Sequence, residues 1–265
     1  MALTLGTGPF GKQAAGTFNF ERPDGTVIYW EDSPKRFRFE IGGRTVADSR
    51  GVKLLHETGH LMQLYFPRED VKMDLLKTSG KTTQCPHKGD ASYYSMAGSA
   101  VDNVAWSYEE PLAHAPPMKD YLAFDLEKVG DWFEEEERGY AHPRDPYHRV
   151  DVAMASRHVV ARVGRKIVAE TRRPAMLFET SLPPRYYFSP DDVRSDHLEK
   201  SETVTDCPYK GPAQHWHAEA GGERIEDAAW SLADLIGDAT KIVGWFCFYP
   251  GKVETEVDGE ILADQ

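Results

Sequence analysis

From Pro34 to Tyr94 the chain can be laid on its own second half, without a gap, at an offset of 122 residues. Gly42 falls on Gly164, Val46-Ala47 on Val168-Ala169, Arg50 on Arg172 and Glu57-Thr58 on Glu179-Thr180. Tyr65-Phe66 falls on Tyr187-Phe188, Asp70-Val71 on Asp192-Val193, and Asp74 on Asp196. The register ends in a doubled C-P-x-K-G, Cys85–Gly89 and Cys207–Gly211; after a two-residue slip Trp106-Ser107 meets Trp230-Ser231. Two copies are too few, and each too long, for a solenoid, so each copy must bury a core of its own. With 265 residues and 40% apolar content the chain has material for two domains of about 120 residues each.

The boundaries follow from composition. Residues 1–20, rich in Gly, Thr and Ala, read as a flexible N-terminal arm. Residues 21–138 form the first repeat and 157–265 the second. Between them 139–156, with Pro143 and Pro146 and preceded by the acidic run Glu134–Glu137, reads as a connection.

Within each copy the pattern is that of hairpins. Arg36–Ile41 and Arg44–Asp48 alternate around Gly42-Gly43, and two-residue turns need the positive φ that glycine adopts cheaply. The second copy repeats this as His158–Val163, Gly164-Arg165 and Lys166–Glu170. Another hairpin follows each C-P-x-K-G, turning at Gly98 and at Gly221-Gly222. Aromatic strands are expected at Tyr121–Phe124 and Gly244–Tyr249. One short helical segment per copy is expected after Pro67 and after Ser189, where acidic residues fill a first turn. The fold class is therefore mainly β.

A net charge of −12 argues against a phosphate-backbone partner, and no basic stripe overrules it. No apolar run approaches the roughly 20 residues of a membrane span, and no signal segment opens the chain. Cys85, Cys207 and Cys247 form no C-x-x-C pair, so neither a disulfide framework nor a zinc ribbon is expected. The sequence-level expectation is a cytoplasmic protein without nucleic-acid or membrane partner; oligomeric state is not written in it.

His56-Glu57-Thr58-Gly59-His60 matches H-E-x-x-H, the zinc-protease signature. Gly59 and Thr58 weaken the helix it requires. The second copy reads Phe178-Glu179-Thr180-Ser181-Leu182, keeping the glutamate and losing both histidines. The shared residue is the acid, so the histidines read as incidental, and neither a metal nor a cofactor is expected.

The two copies share Glu57/Glu179, Tyr65/Tyr187, Cys85/Cys207, Lys88/Lys210 and Trp106/Trp230. Cys85 and Lys88 flank a sharp Pro–Gly bend, which can turn both side chains into one cleft. A nearby ammonium favours thiolate, making Cys85 a candidate nucleophile against the bland reading of a core cysteine. Glu57 is a candidate acid/base or a partner of Lys88. Charged residues kept beside apolar strands in both copies point to a paired or buried polar site. The shared Asp70 and Asp192 are expected to cap or brace the short turns.

With C-P-x-K-G, Tyr65-Phe-Pro-Arg-Glu-Asp-Val71 and Trp106-Ser-Tyr108-Glu-Glu-Pro111 in hand, the chain resembles the DUF427 family, as two such domains in tandem. The resemblance implies a β-tent (Mss4-like) fold of antiparallel sheets. Some β-tent relatives hold zinc through paired cysteines, which are missing here. Others bind small ligands in an aromatic cage, which singles out Trp106, Tyr94 and Tyr108. The family is sometimes labelled nucleotidyltransferase, but no Gly-Ser or paired-Asp metal motif supports that chemistry here. The first copy has His87 where Tyr is usual; the second reads Trp230-Ser-Leu232-Ala-Asp-Leu235 and loses the W-x-Y-x-x-P end. This pattern suits one working site with one scaffolding domain, or a composite site.

The expected function is an enzyme of hydrolase, lyase or isomerase type acting on a small polar metabolite. Glu57, Lys88 and Cys85 would carry the chemistry, with Tyr65, Arg68, His87, Tyr94, Trp106 and Tyr108 around the substrate. The rivals are a non-catalytic small-molecule-binding module with an aromatic cage, and a structural or interaction protein. Substrate and reaction are not named by the sequence.

Overall fold

The computed structural model of the chain describes residues 3–21, 25–233 and 237–263. The chain divides into two compact units, Met1–Asp145 and Pro146–Gln265. In the first, the strands are β1 (Ile28–Asp32), β2 (Phe37–Ile41), β3 (Arg44–Ser49), β4 (Lys53–Glu57), β5 (Gln63–Pro67) and β6 (Leu76–Cys85). They are followed by β7 (Gly89–Met96), β8 (Ala105–Ser107), β9 (Tyr121–Phe124), β10 (Asp131–Glu134) and β11 (Glu137–Arg138). A seven-stranded antiparallel sheet runs β1-β4-β5-β9-β8-β7-β6, and a second of four strands runs β11-β10-β2-β3.

Alternation builds the core between them. In β2, Phe37, Phe39 and Ile41 are buried while Arg38 and Glu40 are half-exposed, the period-two pattern of a sheet with one wet face. Phe39 meets Phe66 of β5 at 4.7 Å and Phe124 of β9 at 5.6 Å between ring centroids, tilted and edge-on. Phe188 and Phe248 repeat the Phe66–Phe124 contact in the second unit, edge-on at 5.5 Å.

The second unit contains β12 (Val150–Met154), β13 (Val159–Val163), β14 (Lys166–Thr171), β15 (Ala175–Glu179) and β16 (Arg185–Tyr187). It continues with β17 (Leu198–Cys207), β18 (Gly211–Ala220), β19 (Glu223–Leu232), β20 (Phe246–Phe248), β21 (Glu254–Val257) and β22 (Glu260–Ile261). The long sheet of the first unit is here two sheets, β12-β15-β16 and β17-β18-β19-β20, beside β14-β13-β21-β22. A single bridge, Phe188 to Phe246, stands where β5 and β9 pair over three residues in the first unit. Both units are thus mainly β, as the β-tent resemblance implies.

β12 lies inside the stretch 139–156 that composition marks as a connection. It pairs with β15 in the register in which β1 pairs with β4: Val150 faces Glu179 as Ile28 faces Glu57. The duplication therefore starts earlier than the hairpin pattern suggests, because these first strands share position but little sequence. Residues 3–20 carry no strand or helix, yet they are tied to the turn after β4. Gly59 N donates to Thr4 O at 2.8 Å, and Thr58 Oγ1 donates to Phe10 O at 2.7 Å.

The expected short helical segments are not true helices. Arg68–Asp70 and Met73–Leu75, and Pro190–Asp192 and Ser195–His197, are single 3-10 turns. Each pair breaks where Val71 or Val193 bridges back to Ala47 or Ala169, so extended pairing wins over helix propagation. Asp70 and Asp192 brace these turns rather than cap them: Ser49 Oγ donates to Asp70 at 2.5 Å, and Thr171 Oγ1 to Asp192 at 2.7 Å. Among the described residues no helix is long and apolar enough to cross a membrane.

C-P-x-K-G is the β6–β7 turn, with Cys85 paired to Gly89 and Lys88 N donating to Cys85 O at 3.3 Å. Gly89 has φ +105°, and a Cβ there would lie 3.3 Å from Glu110 O. Gly211 repeats it at +95°. Gly89→Ala is expected to lower stability by about 1–2 kcal/mol, from the left-handed backbone alone. A urea titration reads this; an unchanged midpoint would remove the need for glycine at the turn.

Candidate functional site

β4 ends at Glu57, and the β6–β7 turn carries Lys88 to it. Lys88 Nζ donates to Glu57 Oε2, and both side chains are 9% exposed. The second domain repeats the pair, with Lys210 Nζ on Glu179 Oε2. Removing two opposite charges from water is tolerable when each finds the other, which explains why both residues persist in both copies.

Around the first pair lies a cavity of about 440 Å³ lined by Glu57, Lys88, Cys85, Tyr65, Trp106 and Tyr108, together with Leu55, His60, Leu61, Gln63 and Tyr93. Strand parity explains the aromatic wall. Tyr93 on β7 stands directly across from Trp106 on β8, and Tyr108 follows two residues later on the same face. Burial pushes the Tyr65 hydroxyl far above its usual range, and the Trp106 indole beside it opposes that shift. Burial also raises Tyr108, aided by Cys85 and Glu57, so both phenols stay protonated through physiological pH. Cys85 is half-buried, within hydrogen-bonding reach of the Tyr108 hydroxyl. A second concavity of about 560 Å³ shares Leu61, Gln63, Tyr93 and Trp106 with the first.

Three expected substrate contacts lie elsewhere. Tyr94 points to the opposite face from Tyr93, into the Phe39–Phe66–Phe124 core. Its hydroxyl donates to Glu109 at 2.6 Å and accepts from Arg68 at 2.9 Å, so Tyr94 and Arg68 form a bracket outside the cavity. His87 is half-buried at the turn and does not line the cavity. Leu55, His60, Leu61, Gln63 and Tyr93 are the lining residues that sequence reasoning passed over. Cross-strand register could have found Tyr93, the opposite number of Trp106.

The H-E-x-x-H stretch is strand and turn, not helix. His56 is buried in β4 with Nε2 at 3.1 Å from Glu31 Oε1 and Nδ1 at 3.5 Å from Asp145 Oδ2, whereas His60 is exposed in the next turn. The i, i+4 alignment of two histidines on one helical face does not exist here.

The second domain keeps the pair but changes what surrounds it. His148 Nε2 lies 3.1 Å from Glu179 Oε1, and the Tyr209 ring packs on His148 with centroids 3.8 Å apart and planes tilted by 33°. Burial would raise the Glu179 carboxyl, but His148 and Lys210 outweigh it and hold the acid at about 2. Trp230 Nε1 donates to Tyr187 OH at 3.0 Å. Glu179 lines a smaller concavity of about 260 Å³ with Arg149, Asp151, Phe178, Thr180 and Leu182, whereas Lys210, Cys207, Tyr187 and Trp230 do not line it. Cys207 is half-buried. Cys247, paired to Trp230 as Ala123 is to Trp106, is a core thiol that burial pushes up to about 12.

A search of the curated proteins returns no match. The family described as "Domain of unknown function (DUF427)" matches twice, over residues 29–135 and 151–259, and both matches open one residue inside the strands β1 and β12. The chain belongs to the DUF427 family and carries two of its domains in tandem.

Proposed function

We propose that the first domain binds a small polar molecule in the Glu57–Lys88 cavity and acts on it by proton transfer, as a hydrolase, lyase or isomerase without a redox cofactor. The observation that carries this reading is the convergence of a buried carboxylate–ammonium pair, a half-buried thiol and two protonated phenols on one cavity of about 440 Å³. That volume lies in the range of small-molecule sites. Glu57 would exchange the proton, Lys88 would keep it charged and meet developing negative charge, and Cys85 is the available nucleophile. Three unbridged cysteines support a cytoplasmic setting for this chemistry.

A specific observation favours a second reading, a binding module. The ion pair is equally formed in the second domain, where His148, backed by Tyr209, holds the other oxygen of the acid. The pair thus has structural value without turnover. A thermal-shift metabolite screen on the full chain identifies ligands, and Glu57→Gln then separates the readings. Catalysis predicts a turnover loss of about 100-fold or more, well beyond any change in ligand affinity. No turnover with any bound metabolite leaves binding as the function, and turnover unchanged by Glu57→Gln removes Glu57 as the acid/base. Alkylation of Cys85 by iodoacetamide across pH reports the nucleophile: fast modification with a midpoint below about 8.5 supports a thiolate. Inertness in the folded chain assigns Cys85 to packing.

A further inference from the structure

The duplicated acid has the same two oxygens in both domains, and one of them is used differently. Oε2 takes the lysine in each copy. Oε1 of Glu179 is held by His148, but among the described residues no hydrogen bond reaches Oε1 of Glu57, and Glu57 lines the cavity. At the offset of 122, Thr26 stands where His148 does, so the first domain has no imidazole of its own at this place.

The His148 contact also fixes a polarity. Glu179 is ionised down to about pH 2 and only accepts, so Nε2 must carry the proton it donates. The ring is flanked by the Tyr209 face at 3.8 Å and is fully buried. In the first domain, Tyr93, Trp106 and Tyr108 offer aromatic faces around the open acid. We infer that His148 is a built-in stand-in for the first domain's ligand, and that this ligand is a planar nitrogen heterocycle donating a ring N–H to Glu57 Oε1 while stacked on the aromatic wall. The inference rests on reading the cavity as a ligand site, and it names the substrate class: rings of imidazole or purine type. An N–H donor is required at Oε1 because, among the described residues, this carboxylate oxygen accepts no hydrogen bond, and a carboxylate paired to an ammonium takes a charge-assisted bond as its strong option; the Lys88 N–H groups not used on Glu57 remain for an acceptor on the same ligand. A ring is required because the group that fills this place in the sister domain is itself a ring against an aromatic neighbour, His148 on Tyr209 at 3.8 Å and tilted by 33°.

Ligand-observed NMR titration of the full chain with imidazole, adenine and N-methylimidazole tests this. The last keeps the imidazole ring but carries a methyl group in place of the N–H, so the titration is run at about pH 9, where imidazole rings are neutral and it has no N–H to donate. Imidazole or adenine is expected to bind about tenfold or more tightly than N-methylimidazole, the ratio one charge-assisted hydrogen bond supplies. Glu57→Gln should narrow that ratio. In the second domain, His148→Ala should open the covered acid, and added imidazole should raise its melting temperature while leaving the unsubstituted second domain unmoved. Equal binding of imidazole and N-methylimidazole to the unsubstituted chain overturns the assignment, whether or not the variants fold. If a metabolite without a ring N–H saturates the cavity and the heterocycles do not bind, the ring assignment fails while the cavity reading stands. If nothing binds, both fail.

Discussion

Lys88→Met is expected to destabilise the first domain by about 3–5 kcal/mol, the cost of stranding one member of a buried ion pair. Glu57 and Lys88 are each 9% exposed, and among the described residues Lys88 is the only cation on the Glu57 carboxylate. Methionine matches the lysine stem in volume, so the loss is electrostatic rather than a cavity effect. Substituting both partners, Glu57→Leu with Lys88→Met, should recover most of the loss, because an apolar pair of similar shape has no desolvation cost. Lys210→Met should cost less than Lys88→Met, since His148 remains on Glu179. Urea denaturation of the three variants checks this. A Lys88→Met deficit below about 1 kcal/mol would place the pair in the class of screened surface bridges and remove the argument for a dry site.

How much of this was legible in the residues depends on what the duplication touches. The Glu57–Lys88 and Glu179–Lys210 pairs are readable because charged residues kept beside apolar strands in both copies have few roles other than pairing. Tyr65, Cys85 and Trp106 follow from the same alignment and Tyr108 from the family resemblance, and all four line one cavity. Arg68 and Tyr94 went astray by one step of strand parity: of two adjacent tyrosines only Tyr93 can face the cavity, and register across to Trp106 decides which. His148 left no signal, because it lies before the aligned segment and has no counterpart in the first copy. The strands β1 and β12 were invisible for a related reason. Their pairing repeats while their residues do not, since edge positions accept many side chains. The short helical segments were overpredicted because start signals were present, whereas the valine that ends each turn is a tertiary choice.

The second domain should lose on the order of 3 kcal/mol of stability between pH 5 and pH 2 through Glu179 alone. Burial by itself would raise this carboxyl, but the His148 hydrogen bond and the Lys210 charge prevail and take it from an ordinary 4.5 to about 2. A folded-state pKa below the unfolded one means the native chain holds the ionised acid more firmly. The contribution is therefore complete above about pH 5 and disappears as pH falls through the folded value. Glu170, Asp227 and Asp258 are also lowered, by His158, by Ser201 and Thr203, and by the His158 backbone with Arg157, so the whole domain has an acid slope. Glu179→Gln isolates the one term. The variant starts weaker at pH 7, because a neutral amide cannot match Lys210, and its stability should fall less steeply below pH 5 than that of the unsubstituted chain. Hydrogen exchange of the Ala175–Glu179 strand, followed at pH 7, 4 and 3 with correction for intrinsic rates, reads the second domain separately from the first. Parallel slopes in the two proteins would mean that His148 and Lys210 do not hold the acid ionised in solution. They would also remove the argument that His148 is the donor on Glu179, on which its role as an internal ligand depends.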